Sequence, residues 1–356
     1  MSLTKEFFNR ETSISAKVIA DSINETGQRL TTFELEFPRL ILSECNTHGA
    51  IEKNTSSSRA IPVSKMLDHL LEQNLNPVYF GSKKKGMQAG DELNGTSLEV
   101  AKGLWEDSLE KAVFYANQMD TLGVAKEVSN RVTEPYQLIK AVRSATDWDN
   151  WFNLRLHPDA DPNICMLAYK MYQAMQESKP KLLKKGEYHL PYVKTLYDGY
   201  TSWLSTDDTV EKELKLEEAI KYSVASCASV SYRAEGMTLE KAEKIWDMLI
   251  KAEVVHASPF THVATPIVEW VEYFDEEDLD TGFERNLPDH PDSWEGGVTH
   301  MRKDGTLCSG RFAGFIQYRH LIDNNTCWSF WWRRLCRALG FMAFGGHWLL
   351  AWYFRR

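Results

Sequence analysis

Residues Gln28 to Arg39 read QRLTTFELEFPR, and this segment constrains the fold more than any other. Phe33, Leu35 and Phe37 alternate with Thr32, Glu34 and Glu36, the period of a strand that turns one face to a core. Pro38 closes the run. After Gly95 the period changes. Ala101, Trp105, Leu109, Ala112, Ala116 and Met119 recur every three or four residues, with Gly123 placed as a C-cap, which predicts a long amphipathic helix. Asp161-Pro162 offers an N-cap followed by proline at the first turn, and Ile164, Leu167, Met171 and Met175 then form the buried stripe of a second helix. A third runs from Thr238 to about Ala252 on Ala242, Ile245 and Leu249. Strands mixed with helices of this length predict an α+β fold.

The chain of 356 residues accommodates one large or two medium domains. Its 43% apolar content excludes a disordered or fibrous protein, and its net charge of −9 argues against a nucleic-acid polymer as partner. A single basic pocket for a small phosphate remains compatible with that charge. The six cysteines, Cys45, Cys165, Cys227, Cys308, Cys327 and Cys336, form no C-x-x-C pair and have no histidine at ligand spacing. This disfavours zinc and a disulfide framework and points to a reducing cytoplasm. MSLTKEFFNRETSIS at the start has no apolar core of a secretory signal. The polar, charged stretch from Thr201 to Glu218 is a candidate junction, and the run Asp275 to Asp278 reads as a solvated loop. The expected division is therefore 1–200, 201–325 and an atypical tail, 326–356. The tail has no acids and an apolar, aromatic run from Ala338 to Phe354, just short of the ~20 residues that span a bilayer. It reads as an anchor, as a core helix, or as a terminus altered by a change of reading frame; the abrupt shift after Asn325 favours the last.

The segment with most chemistry is Phe37 to Pro62, FPRLILSECNTHGAIEKNTSSSRAIP. A strand leads to His48, then to a polar loop with Asn54, Ser57 and Arg59 closed by Pro62. Hydroxyls and free backbone N–H groups suit anionic oxygens, and the neighbouring arginine adds a cationic fork.

That segment resembles the signature of the flavin-dependent thymidylate synthases, the thymidylate synthase complementing proteins, and especially their long phage-type members. His48, Asn54, Ser57 and Arg59 match, whereas Gly49 stands where the family has a second arginine and Glu52 where it usually has serine. GVAKEVSNRVTEPY, Gly123 to Tyr136, resembles the segment with a nucleotide-contacting arginine, here Arg131. DWDNWFNLRLHPDADPNIC, Asp147 to Cys165, resembles the family's helix-turn-helix, with Asn150 on the flavin side and Arg155 on the uracil side. Asp159, Asp161 and Asn163 depart from the family's His, Gln and Glu. VVHASPFTH is similar to the flavin motif H-x-S-P-F-E-H, with His256, Ser258 and His262 in place and Thr261 replacing glutamate. RFAGFIQYR, Arg311 to Arg319, is similar to a late strand of the long members. The likeness runs from about Ile14 to His320.

The resemblance implies a mixed or antiparallel sheet flanked by long helices, and a homo-oligomer, a tetramer, in the cytoplasm. It implies methylation of dUMP to dTMP, with 5,10-methylenetetrahydrofolate giving the carbon, NADPH the hydride and FAD relaying it. Ser57, Arg59, Arg131 and Arg155 would bind the nucleotide, with Ser57 and Arg155 catalytic; His48, Asn54, Asn150, His256 and Ser258 would bind the flavin. No metal is implied, and a covalent cysteine mechanism is not supported. Gly49 removes a charge worth ~1.5–3 kcal/mol in a buried bidentate contact, and Glu52 adds a negative one; Lys53 is a candidate to offset it, although the sequence does not place its ammonium. These departures keep open a related one-carbon change at pyrimidine carbon 5, or a nucleotide-binding homologue without turnover. Taken singly, each residue has a plainer reading: Arg131 and Arg155 as surface ion-pair partners, His48 and His256 as core histidines, Ser57 as a helix cap.

Overall fold

The computed structural model describes residues 4–73, 75–197, 202–206, 213–231, 236–252, 254–267, 270–274, 281–285, 291, 294–323 and 325. Both the acidic run 275–278 and the tail 326–356 lie outside them.

A five-stranded sheet organises the protein. Its strands are β1 (Ser15–Ile23), β2 (Arg29–Pro38), β3 (Glu52–Thr55), β4 (Leu138–Ala145) and β5 (Lys181–Leu182), in the order β3-β4-β2-β1-β5. All pairings are antiparallel except β1 with β5, so the sheet is mixed and β3 lies on its edge. The helices are α1 (Val63–Gln73), α2 (Gly95–Thr121), α3 (Asp149–Arg155), α4 (Pro162–Glu177), α5 (Leu216–Ala228) and α6 (Leu239–Ile250).

The alternation in β2 decides which face is which. Phe33, Leu35 and Phe37 join Ile139 and Ala141 of β4 in a core against Ile164, Leu167 and Met171 of α4. Each large apolar side chain buried this way stabilises the fold by about 1.5–3 kcal/mol. Helix α4 opens as its sequence dictates. The Asp161 carboxylate accepts from the backbone N–H of Asn163 and Ile164 at 2.8 and 3.2 Å, satisfying donors that have no partner within the helix. Thr238 does the same for α6 through the N–H of Lys241. Helix α2 covers its 27 residues and stops at Gly123, whose φ of +78° is the left-handed geometry of a C-cap. It buries only Leu109, Ala112 and Ala116, against α1 and Tyr136, and leaves Val100, Leu104, Phe114 and Tyr115 exposed, as is Leu122 just past its end.

The opposite face of the sheet is polar but no less covered. Thr32 of β2 and Ser144 of β4 are directly paired in register and their hydroxyls lie 2.6 Å apart. His189 Nε2 meets Thr32 Oγ1 at 2.7 Å while its Nδ1 meets Ser22 Oγ at 2.8 Å. His262 Nδ1 meets Ser144 Oγ at 2.7 Å. The result is a buried chain, Ser22–His189–Thr32–Ser144–His262, across three strands. Val142, Tyr222 and Ala225 pack beside it, so α5 closes this face. The stretch read as a junction contributes a strand, Ser202–Thr206, paired antiparallel with Val193–Tyr197.

Burial pushes both histidines down to about 3, so both are neutral in the folded protein. A histidine that resists protonation only when folded contributes stability in full above the unfolded value near 6.5 and loses it as the pH falls toward the folded value. Unfolding free energy should therefore drop between pH 6.5 and 4, by up to about 1.4 kcal/mol per pH unit for each histidine. Urea melts across that range check this: the slope should shrink in His189→Asn, and an unchanged slope would refute the assignment.

Candidate functional site

Edge strand β3 carries the candidate site at its two ends. At its start, the short helix Leu42–Asn46 and Thr47 lead into His48, which is buried. The ring lies edge-on to Trp151 of α3, with centroids 4.8 Å apart. Arg155, in the last turn of α3, donates from Nε to His48 Nε2 at 2.9 Å and from Nη2 to Thr47 Oγ1 at 3.0 Å. Accepting from a guanidinium requires that Nε2 carry no proton, so the ring is neutral with its hydrogen on Nδ1. Burial, then the positive charge of Arg155 and of Lys53, holds His48 below its ordinary value, opposed by the side-chain hydrogen bond of Asn150. Three of the expected residues, His48, Asn150 and Arg155, thus meet here.

Past the other end of β3, Ser56 to Ala60 make a tight turn. Ser57 donates its backbone N–H to Ser231 Oγ at 3.1 Å, and its own Oγ accepts from the N–H of Arg59 at 3.3 Å. No base touches the Ser57 hydroxyl among the described residues. The side-chain amide of Asn130 bridges the carbonyls of Ser58 and Ile61, at 2.8 and 2.9 Å. Asn130 opens the 3-10 helix Asn130–Tyr136, so Arg131 is carried beside the Ser57–Arg59 turn. Both Arg59 and Arg131 are exposed, and neither guanidinium has an ion-pair or hydrogen-bond partner among the described residues. Ser58 donates to Glu134, which is itself ion-paired with Arg39 at 3.2 Å.

Arg59 and Arg131 therefore stand past one end of β3 and Arg155 at the other. A strand rises about 3.3 Å per residue, so the two ends of four-residue β3 stand about 10 Å apart, with Arg155 at the first and the other two beyond the second. Asn54 lies between them and donates its amide to the Cys227 carbonyl at 3.1 Å. His256 is exposed rather than in the core, and Ser258 is exposed at the start of the turn Ser258–His262. That turn packs against β3. Its Thr261 hydroxyl donates to the Ser258 carbonyl at 2.6 Å, a structural use of the position where the resemblance expects a glutamate.

Of the five positions expected to hold a flavin, Asn54 and the Nε2 of His48 are committed to internal partners, Asn150 bonds the His48 ring, and His256 and Ser258 are exposed. A cavity of about 540 Å³ lies elsewhere, walled by Asp21, Ser22, Lys181, Glu187 and Tyr188 among others. No group of three His, Cys, Asp or Glu among the described residues is placed to hold a metal ion.

Of two departures from the signature, Glu52 acquires a physical reason and Gly49 has none in the structure. Glu52 is compensated by Arg311, whose Nη1 lies 3.1 Å from its carboxylate, and by the Gln317 amide at 3.0 Å. Lys53 does not serve it: its ammonium donates to the carbonyls of Asn46 and His48, at 2.7 and 3.4 Å. Gly49 is exposed, its φ lies outside the left-handed range, and a Cβ there would meet nothing within 4 Å. Sequence reasoning missed Asn130, Arg311 and Gln317 as builders of the site. Their only signal was membership of segments already singled out.

The fold and site thus define an α+β protein with a cationic cluster at each end of one edge strand. No family model matches the chain, and no curated protein does. Among solved structures the chain is similar to the UMP/dUMP methylase PolB from Streptomyces cacaoi bound with 5-Br dUMP, at 11% identity and a TM-score of 0.37, over 47% of this chain and 92% of that one. The same methylase bound with 5-Br UMP gives 12% identity, a TM-score of 0.37 and coverage of 47% and 90%. Likeness at this distance says nothing of substrate. No described helix is long and apolar enough to cross a membrane.

Because Arg155 pushes the His48 pKa down, replacing it with an uncharged side chain should raise it. In Arg155→Met the His48 midpoint, followed by NMR of the imidazole carbons, should move upward. A midpoint that stays or falls contradicts the pairing.

Proposed function

We propose that the protein binds a pyrimidine nucleoside monophosphate at the Ser57–Arg59 turn and modifies carbon 5 of its base. The observation that carries this reading is the tie made by Asn130, which sets Arg131 beside a turn that already presents Ser57 and Arg59. Two guanidinium groups without partners of their own match the roughly two negative charges of a phosphate monoester. The hydroxyl of Ser57 is free to donate to a phosphate oxygen, a binding role rather than a nucleophilic one. Arg155 keeps Nη1 for a ligand and would stabilise negative charge on a uracil oxygen, which makes carbon 5 nucleophilic. It would reach the base of a nucleotide lying along β3, or that of a nucleotide bound by a second copy of the chain.

The finer form of the proposal is thymidylate synthesis: dUMP to dTMP, with methylenetetrahydrofolate as carbon donor and NADPH as reductant, in a homo-oligomer with FAD between protomers. The flavin, when bound, supplies the hydride relay. The exposed apolar side chains of α2 are a surface on which copies could meet.

Calorimetric titration with dUMP tests the binding step. Arg59→Ala and Arg131→Ala should each weaken it about ten- to hundredfold, the loss of one charge-assisted contact, whereas Gly49→Arg, which has room, should strengthen it. Equal affinity in all four proteins would end the proposal. The finer form is tested separately by the absorption spectrum: a flavin band that responds to dUMP, with dTMP as product, supports it. Colourless protein that FAD cannot reconstitute removes the flavin reading while leaving the binding result to stand.

A further inference from the structure

The alternation of β4 reserves one position for an apolar residue and fills it with a cation. Ile139, Ala141 and Ala145 all face the core between the sheet and α4. Arg143 has the same parity, so its side chain enters that core and is 3% exposed. Its hydrogen bond is to Asn46 Oδ1 at 3.2 Å, from Nη2. Nη1 is buried with no partner, and among the described residues no carboxylate pairs with it. An isolated buried charge of this kind costs several kcal/mol.

Two other buried donors share the problem. The indole Nε1–H groups of Trp148 and Trp151 also lack partners. Arg143, Trp148 and Trp151 line one small cavity, about 10 Å³, together with Cys45 and apolar side chains including Leu35 and Phe37. That is room for one occupant the size of a water. Every one of these six residues is at most 4% exposed.

We propose that this cavity is a site for a single monovalent anion of halide size, bound by Arg143 Nη1–H and the indole N–H groups of Trp148 and Trp151. Three donors and no strong acceptor define the chemistry. A water molecule accepts about two hydrogen bonds and brings no charge, so it would leave one donor and the guanidinium uncompensated. A halide accepts all three. A phosphate or carboxylate ligand is too large for the space. Cys45 does not serve as the counter-ion, because burial pushes its thiol up to about 12. The site is independent of the nucleotide proposal, although Trp151 connects it to the His48 ring.

Crystals soaked in bromide test it directly: an anomalous peak within hydrogen-bonding reach of the three nitrogens is expected, and an ordered water without anomalous signal there overturns the proposal. In solution, melting temperature should rise by roughly 2–6 °C between gluconate and saturating chloride or bromide at equal ionic strength. That difference should vanish in Arg143→Met, which removes the charge and leaves an apolar stem. Should that variant fail to fold, Trp148→Phe, which keeps a ring and removes one donor, should lower the apparent halide affinity about tenfold. Identical melts of the unmodified protein in gluconate and halide count against the site.

Discussion

The chain from Ser22 through His189, Thr32 and Ser144 to His262 is the constraint on which the rest of the structure depends. It joins β1, β2 and β4 to two segments far apart in sequence, and it does so with neutral groups in a place where a charge would be expensive. The backbone repeats the connection: His189 donates its N–H to the Ala264 carbonyl at 2.7 Å and accepts from the Ala264 N–H at 3.3 Å. Through this junction the polar face of the sheet becomes an internal surface. The turn Ser258–His262 is thereby positioned against β3. The last histidine of a segment that resembles a flavin motif is therefore an anchor, with its ring inside the protein.

Local pattern was enough to place the elements that meet the core directly. Phe33, Leu35 and Phe37 are all buried; on α4 Ile164, Leu167 and Met171 are buried and Met175 partly so. Asn163, Cys165, Met166 and Ala168 are buried as well, so the first half of α4 is enclosed on every side and not along a stripe alone. Asp161 and Asn163, departures from the family pattern, are explained by the same local physics. One caps α4, and the other accepts from the Val78 N–H at 3.0 Å. What periodicity could not reveal is where a polar residue in a core pattern finds its partner. Arg143 interrupts the apolar surface, Thr32 and Ser144 are buried on the face that the alternation leaves polar, and their environments depend on residues up to 157 positions away.

The site was legible as a set of segments and illegible as a geometry. The sequence places His48, Asn54, Ser57 and Arg59 on one stretch, which suggests a single cluster. The chain instead spends residues 52–55 on a strand, and a strand separates its ends. His48 then falls to Arg155 and the serine turn falls to Asn130. No spacing rule predicts that division, since it follows from pairing in register with β4. The same pairing decides charge: Lys53 is opposite Arg143, and its ammonium turns back to the carbonyls of Asn46 and His48 instead of reaching Glu52.

An edge strand exposes a row of backbone groups, and folds cover or charge such edges to prevent unwanted pairing. Here the cover comes from the turn at Ser258–His262 and from the strands around Phe312 and Phe315, which bring Arg311 and Gln317 onto Glu52 across 259 and 265 positions of sequence. A serine at position 52 would leave Arg311 without its carboxylate, and a glutamate without Arg311 would put an unpaired half-buried charge beside a site suited to phosphate. Each substitution is unfavourable alone, so Glu52 and Arg311 make sense only as a pair. The unusual residue in the signature is thus a feature of how the C-terminal segments are fastened to the sheet edge, and the cationic turn beyond β3 keeps its charge because Glu52 is already neutralised from the other side.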